Sequence, residues 1–323
     1  MKAAIRKKYC LPDQIKLDQV KDLVPQDREV LIKVHATTVS RTDCATLTAK
    51  PFIMRFLLGF FKPRKIILGT DFAGEVVAVG KLVQSFKAGD RVFGFNDEGA
   101  ASQAEYMLSV TDTIFPIPKK ISYTTAAASI EGAHYAYSFI HKVDLQAGQQ
   151  VMIHGATGAI GSALLQLVRQ YDVKITATSS TKNMDLVYSL GADKIYDYSK
   201  TDFTEQDDRF DFIFDAVGKS TYSQCKHLLK ERGIYISSEL GPYSQNVFYP
   251  LITMFSGKKV VFPAPYSTQE TIPYISNLLS KNKFSPVIDR AYALDDIAEA
   301  YEYVLAGNKT GNVIMHINNR ETS

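Results

Sequence analysis

Cysteine is scarce in this chain. Cys10, Cys44 and Cys225 are its three thiols, with no close pair among them, which excludes a disulfide framework and a four-cysteine structural zinc site. Long apolar stretches are missing as well: no segment approaches the roughly 18 apolar residues that would span a bilayer. The opening MKAAIRKKYC lacks the apolar core and small-residue cleavage site of a secretory leader. A cytoplasmic protein with no membrane partner is therefore expected. There is also little excess charge, since 37 Lys and Arg stand against 34 Asp and Glu. A net +3 spread over 323 residues is no electrostatic footprint for nucleic acid. With 46% hydrophobic and 22% charged residues, the composition is that of an ordinary globular chain, and the length predicts two domains at roughly 150 residues each.

The two parts are patterned differently. Through residue 122, short β-like runs such as Glu29 to Val39 and Phe72 to Val79 are separated by turn residues, which predicts an irregular β-rich domain. From Tyr123 onward helical and strand-like runs alternate. Strands are expected at Val151–His154, Lys174–Thr178, Lys194–Tyr196, Phe210–Asp215, Gly233–Ser238 and Lys258–Pro263, with helices between them, including Gly161–Gln170, Asn183–Leu190 and Ser220–Lys230. Six strands with crossover helices describe a doubly wound parallel sheet. Asn312 to Ile317 reads as a closing strand that returns to the first domain. The expected organisation is a discontinuous β-rich domain over 1–122 and 264–323 around an α/β domain over 123–263. The most apolar run, Pro51 to Phe61 (PFIMRFLLGFF), is interrupted by Arg55 and followed by Lys62, Arg64 and Lys65. It reads as a helix and loop packed on the core, or else as a membrane-dipping or substrate-covering lid.

The run Val151-Met152-Ile153-His154-Gly155-Ala156-Thr157-Gly158-Ala159-Ile160-Gly161 is a strand followed by three glycines that open a helix. A dinucleotide needs a tight turn, close backbone approach to its pyrophosphate, and amides at a helix N-terminus. Gly155, Thr157, Gly158, Ala159, Ile160 and Gly161 are therefore candidate cofactor contacts. An NAD site would carry Asp or Glu about 20 residues after the first glycine to accept from the ribose hydroxyl. This chain instead reads Thr176-Ala177-Thr178-Ser179-Ser180-Thr181-Lys182. Hydroxyls and a lysine suit a 2′-phosphate, which an acid would repel, so NADPH is the expected cofactor. The alternative reading of Ser179 and Ser180 is that they cap the following helix.

These features together resemble the medium-chain dehydrogenase/reductase superfamily, in particular its zinc-free quinone oxidoreductase branch. The resemblance rests on HGATGAIG, STKNMDLVYSLGADKIYDY, FDFIFDAVG and GNVIMHI, and on Gly69-Thr70-Asp71-Phe72-Ala73-Gly74-Glu75-Val76, Gly89-Asp90-Arg91-Val92 and Ala104-Glu105-Tyr106. It covers essentially the whole chain. It implies a GroES-like β domain, a Rossmann domain and a substrate cleft between them. It further implies pyrophosphate contacts from the amides of Ala159 and Ile160, and Ser179, Lys182 and Tyr198 around the 2′-phosphate. Val217 and Leu240 would approach the nicotinamide, and Phe262 and Asn312 would close over the cofactor. A homodimer is implied too, paired along the cofactor sheet through Lys258 to Phe262.

The zinc-dependent alcohol dehydrogenases of that superfamily hold their metal through cysteine and histidine. At the matching positions this chain has Ser40 and Thr70, poor zinc ligands beside thiolate or imidazole, so no metal is expected. Without a Lewis acid the acceptor must itself be electrophilic, as quinones and α,β-unsaturated carbonyls are. By the same resemblance, Ser40 and Asp43 line the cofactor or substrate pocket. Tyr135 fills a position beside the nicotinamide, with Glu131 and His134 nearby. Tyr135 either donates to a developing oxyanion or packs, and His134 either relays a proton or is a core histidine. The expected activity is hydride transfer from NADPH to a quinone or enone. A zinc-type alcohol dehydrogenase and an NADPH-binding sensor or crystallin-like protein are the competing readings.

Overall fold

The computed structural model describes residues 1–241 and 244–317. The chain begins with β1 (Lys2–Ile5), β2 (Lys16–Gln19), β3 (Glu29–Val39), α1 (Arg41–Thr48), α2 (Met54–Leu58), β4 (Asp71–Val79), β5 (Arg91–Phe95), β6 (Tyr106–Val110), β7 (Phe115–Pro116) and α3 (Tyr123–Ala128). Helices and strands then alternate through α4 (Glu131–Ile140), β8 (Gln150–His154), α5 (Ala159–Val168), β9 (Lys174–Ser179), α6 (Met184–Ser189), β10 (Lys194–Asp197) and β11 (Phe210–Asp215). After these come α7 (Tyr222–Cys225), β12 (Leu229–Ser237), α8 (Gln245–Ile252), β13 (Lys259–Val261), α9 (Thr268–Ser280), β14 (Ile288–Ala293), α10 (Ile297–Leu305) and β15 (Asn312–His316). The chain divides into two compact units: Met1–Glu131 together with the chain from Thr268 onward, and Gly132–Ser267.

The first unit is organised by β3, whose residues alternate between half-buried and buried until Ala36, after which every position is buried. Its eleven residues are long enough to take two partners in succession on one edge. β6 pairs with Glu29–Lys33 and β15 with Ala36–Val39, while β4 occupies the other edge. The sheet runs β14-β15-β3-β4-β5-β7, so a strand from the end of the described chain completes a sheet begun near its start. Val30, Ile32, Val34, Phe72, Val76, Val92, Met107 and Ile114 form one core. Each such side chain, fully withdrawn from water, contributes about 1.5–3 kcal/mol. A second core joins Leu47 of α1, Tyr301 of α10 and Met315 of β15.

The second unit is a six-stranded parallel sheet in the order β10-β9-β8-β11-β12-β13. The central strands β8 and β11 are buried at nearly every position, as strands covered on both faces are. The strand order reverses between β8 and β11, and doubly wound sheets bind ligands at such a switch point, outside the carboxyl ends of the strands. The helix expected over Ser220–Lys230 is shorter than its periodicity suggests. Thr221 caps α7, a single 3₁₀ turn follows over Lys226–Leu228, and β12 begins at Leu229. Leu228 closes that turn and Leu229 opens the strand, and both are buried. Helix α8 has no counterpart in the sequence reading.

Candidate active site

The glycine turn lies at the switch point. Gly155 follows β8 with φ 83°, a conformation that favours glycine, and a Cβ there would come within 2.7 Å of Val217 Cβ. A Cβ on Gly161 would lie 2.1 Å from the Gly155 carbonyl oxygen, so the turn and the helix touch backbone to backbone. Gly158 differs: the nearest atom to a Cβ there is 3.7 Å away, which leaves room for a ligand. It is the N-cap of α5 and supplies no side-chain cap, leaving the first-turn amides for an anion.

Two buried side chains fix this turn, and the sequence reading missed both. Gly155 N donates to Thr178 Oγ1 at 3.0 Å, and the same hydroxyl lies 2.8 Å from His154 Nδ1. Burial lowers the His154 pKa, which favours a neutral ring that accepts at Nδ1. At the end of β11, Asp215 accepts from the amides of Val217 (3.0 Å), Gly218 (2.7 Å) and Ser220 (3.1 Å), from Ser220 Oγ (2.8 Å) and from Tyr235 Oη (3.1 Å). That set of bonds places Val217 against Gly155.

At the end of β9, Ser179 Oγ donates to the Ser180 carbonyl at 3.0 Å. Ser180 stands at the cap position of the following turn but its side chain makes no capping bond. Its hydroxyl oxygen is buried and has no hydrogen-bond partner, so the capping role does not account for it. Tyr198 N donates to Ser179 O at 3.0 Å, bringing Tyr198 beside Ser179, and Lys182 is exposed one turn away. An acid does occur nearby, on β10: Asp197 accepts from Ser199 Oγ at 2.6 Å and from Thr181 Oγ1. Those hydroxyls hold its pKa down to about 2, and the carboxylate is already committed to Ser199, Thr181 and Lys200. Leu240 and Phe262 follow β12 and β13 and lie off the same carboxyl edge of the parallel sheet. A dinucleotide therefore fits this edge, with only the Gly155 carbonyl near Gly158, free helix-start amides and an orphaned Ser180 hydroxyl.

In α4, a Cβ on Gly132 would lie 2.6 Å from Ala159 O, so this helix packs against the start of α5. His134 is buried, and burial lowers its pKa to about 4, which makes the ring neutral near pH 7. It meets the half-buried Tyr135 edge to face at 5.3 Å between ring centroids.

The first unit holds a different kind of site. Ser40 caps α1 and forms a capping box with Asp43. Asp43 N donates to Ser40 Oγ at 3.0 Å, while Ser40 N and Oγ each donate to Asp43 Oδ2 at 2.9 Å. Thr70 Oγ1 donates to Asp43 Oδ1 at 3.2 Å. Asp71, absent from the expected site residues, accepts from Thr38 N at 2.6 Å, from Thr37 Oγ1 at 3.0 Å and from Thr38 Oγ1. Asp43, Asp71 and Glu131 are all buried. Burial is the largest cause of their raised pKa values, and repulsion by neighbouring acids adds to it: Asp71 rises to about 7 and Asp43 well above the carboxylate range. Glu131 is raised as well, although hydroxyl bonds from Thr42 and the charge of Lys309 oppose the shift. Lys309, also missed, donates from Nζ to Gly311 O at 2.6 Å. Asn312 directs its side-chain amide to Val287 O at 2.9 Å. Cys44 is buried and its thiol pKa is raised by burial, the properties of a small hydrophobe. Among the described residues, no group of three or more His, Cys, Asp or Glu is arranged to hold a metal ion.

A parallel sheet in the 3-2-1-4-5-6 order with a glycine turn at its switch point, in a chain that also carries a separate β-rich unit, defines a two-domain dehydrogenase/reductase. The family model described as alcohol dehydrogenase GroES-like domain matches residues 26–119, and that described as zinc-binding dehydrogenase matches residues 190–315. A 2-methylene-furan-3-one reductase of Solanum lycopersicum is 30% identical over 98% of this chain and 79% of its own length. A quinone oxidoreductase of Sus scrofa is 30% identical over 95% of each chain. The structure of the quinone oxidoreductase from Coxiella burnetii superposes with a TM-score of 0.89 at 26% identity, covering 98% of this chain and 99% of the other. The chain belongs to the medium-chain dehydrogenase/reductase superfamily, in its quinone oxidoreductase-like branch.

Proposed function

We propose that this chain is a zinc-independent oxidoreductase that passes hydride from NADPH to a quinone or an α,β-unsaturated carbonyl acceptor. The observation that carries the reading is the carboxyl edge of β8 and β9, where space over Gly158 adjoins a strand end bearing the orphaned Ser180 hydroxyl and no acid. When bound, the dinucleotide supplies a hydride equivalent. The chain's residues do the rest. The amides of Ala159, Ile160 and Gly161 bind the pyrophosphate, with Gly155, Thr157 and Gly158 shaping the turn, where the Gly158 amide donates to Gly155 O at 3.2 Å. Ser180, Lys182 and Tyr198 donate to the 2′-phosphate, and Ser179, whose hydroxyl is held by the Ser180 carbonyl, shapes the strand end beside it. Within the parallel-sheet unit Val217, Leu240 and Phe262 hold the nicotinamide end, and within the β-rich unit Ser40, Asp43, Glu131 and Asn312 are the residues proposed for the acceptor side.

The acceptor gains a hydride and one proton. Hydride addition to a quinone or enone gives a delocalised phenolate or enolate, and a phenolate's conjugate acid has a pKa near ~10, so water can complete the proton transfer. Tyr135 donates a hydrogen bond to the developing oxyanion, and the neutral His134 ring holds Tyr135 in place. Ser40 and Thr70 spend their hydroxyls on Asp43, which supports a metal-free site. Agreement with relatives named for quinone and furanone reduction supports the acceptor class.

NADPH oxidation by phenanthrenequinone and a 2-alkenal, run beside NADH and with elemental analysis of the protein, tests the reading. Turnover with NADPH, little with NADH and no stoichiometric metal are expected. Bound zinc would give the alcohol dehydrogenase reading instead, and tight NADPH binding without turnover would give a nucleotide-binding protein.

The oligomeric state proposed is a homodimer through β13, the last strand of its sheet. The neighbouring α8 exposes Phe248, Leu251 and Ile252, a face that pairing would cover. Light scattering at the dimer mass is the expected result.

A further inference from the structure

We propose that the segment from Lys50 to Lys65 is a docking surface for an anionic lipid bilayer. The segment is apolar but not packed inward. Phe52, Ile53, Phe56, Leu57, Phe60 and Phe61 are all exposed, Phe56 by 62% and Phe61 by 89%. The four phenylalanine rings are contiguous: Phe52 meets Phe56 at 6.1 Å and Phe60 at 6.0 Å, Phe56 meets Phe60 at 5.5 Å, and Phe60 meets Phe61 at 5.0 Å. Globular surfaces rarely carry so large an apolar patch without a partner.

The inner side of the segment is tied down. Leu58 is buried, Tyr9 Oη donates to Gly59 O at 2.6 Å, and Arg55 lies over the Tyr9 ring at 4.8 Å. The rings are therefore presented from a fixed base.

Charge identifies the partner. Between Asp43 and Asp71 there is no acidic residue, and Lys50, Arg55, Lys62, Arg64 and Lys65 all fall in that interval. Lys65 reaches Gly99 O, next to Asp97 and Glu98, so that end of the patch is balanced and the rest is cationic. A second copy of this chain would bring like charges face to face. An anionic bilayer instead offers an apolar boundary for the rings and negative headgroups for the Lys and Arg side chains, which snorkel. Each basic residue close to such a surface is worth about a factor of five in binding. Among the described residues no helix is long and apolar enough to cross a membrane. The contact proposed is peripheral, and it revises the sequence expectation of no membrane partner.

Co-sedimentation of the full chain with vesicles tests this, using phosphatidylcholine alone against phosphatidylcholine containing phosphatidylglycerol, at low and high salt. Binding to the anionic vesicles at least about tenfold above the neutral ones, and weakened by salt, is expected. F56S/F61S should lower that binding by about tenfold or more, and K62E/R64E should remove the preference for anionic vesicles, with melting temperatures unchanged in both. Equal partition onto the two vesicle types, or no binding by the parent chain, would overturn the proposal. So would two results from the F56S/F61S variant: an altered oligomeric mass, which would mark a self-association surface, or a raised acceptor KM with vesicle binding intact, which would mark a substrate lid.

Discussion

The two sites are made of different material. The dinucleotide turn is built largely from main chain, with glycines where a Cβ would strike Val217 or the Gly155 carbonyl, and amides that need no particular side chain. The acid cluster is built from side chains. Asp43, Asp71 and Glu131 are all buried, and the hydroxyls of Thr37 and Thr38 on β3, of Ser40 at the cap of α1 and of Thr70 satisfy the two aspartates. A main-chain site tolerates almost no added atom, whereas a side-chain site tolerates substitution but stores its behaviour in protonation.

The sharpest way to break that comparison is Gly161→Val. Its Cβ would have to displace the Gly155 carbonyl, and NADPH affinity should fall by about 100-fold or more, measured by fluorescence titration. Tolerance of valine would show that the turn is not set by backbone contact.

Asp71 tests the other side. Its folded pKa of about 7 lies above the unfolded value near ~3.9, so the folded state holds the proton more tightly. The stabilisation is complete below about pH 4 and is lost as pH rises toward 7, with a change on the order of 2–4 kcal/mol. Asp71→Asn removes that titration. Denaturant melts from pH 4 to 8 should show a smaller fall in the variant than in the parent, since Asp43 and Glu131 still titrate in both, and parallel curves would mean that Asp71 is ionised throughout.

A smaller effect is expected from Ser180→Asp. A carboxylate beside the 2′-phosphate should weaken NADPH by about tenfold and leave NADH nearly unchanged. Tyr135→Phe is smaller still: kcat should drop by about two- to tenfold at constant KM for NADPH, because water still supplies the proton. An unchanged kcat would reduce Tyr135 to packing.

The same contrast explains what the sequence disclosed. Gly155, Gly158 and Gly161 fall within seven residues, and a strand on one side and a helix on the other give them meaning locally. The proposed preference for NADPH rests on an absence, the acid missing between Thr176 and Lys182. Asp71 was visible only as part of GTDFAG, because its partners Thr37 and Thr38 lie on another strand and meet it through sheet pairing. Asp215 looked like a strand end, yet its value lies in five hydrogen bonds that form once the loop turns back. Periodicity also cannot report exposure. Pro51–Phe61 has the composition of a core segment, and the structure turns all four of its phenylalanine rings outward.

Ser40 carries a consequence for the history of such a chain. A thiol at this position would be a poor acceptor for the Asp43 amide and a poor donor to its carboxyl, and a histidine at position 70 would take away the hydroxyl on the opposite oxygen. Installing metal ligands one at a time would therefore strand a buried acid before any ion could repay the loss. The hydroxyls act as a ratchet, so that placing metal ligands at these two positions is opposed first by folding and only afterwards by catalysis.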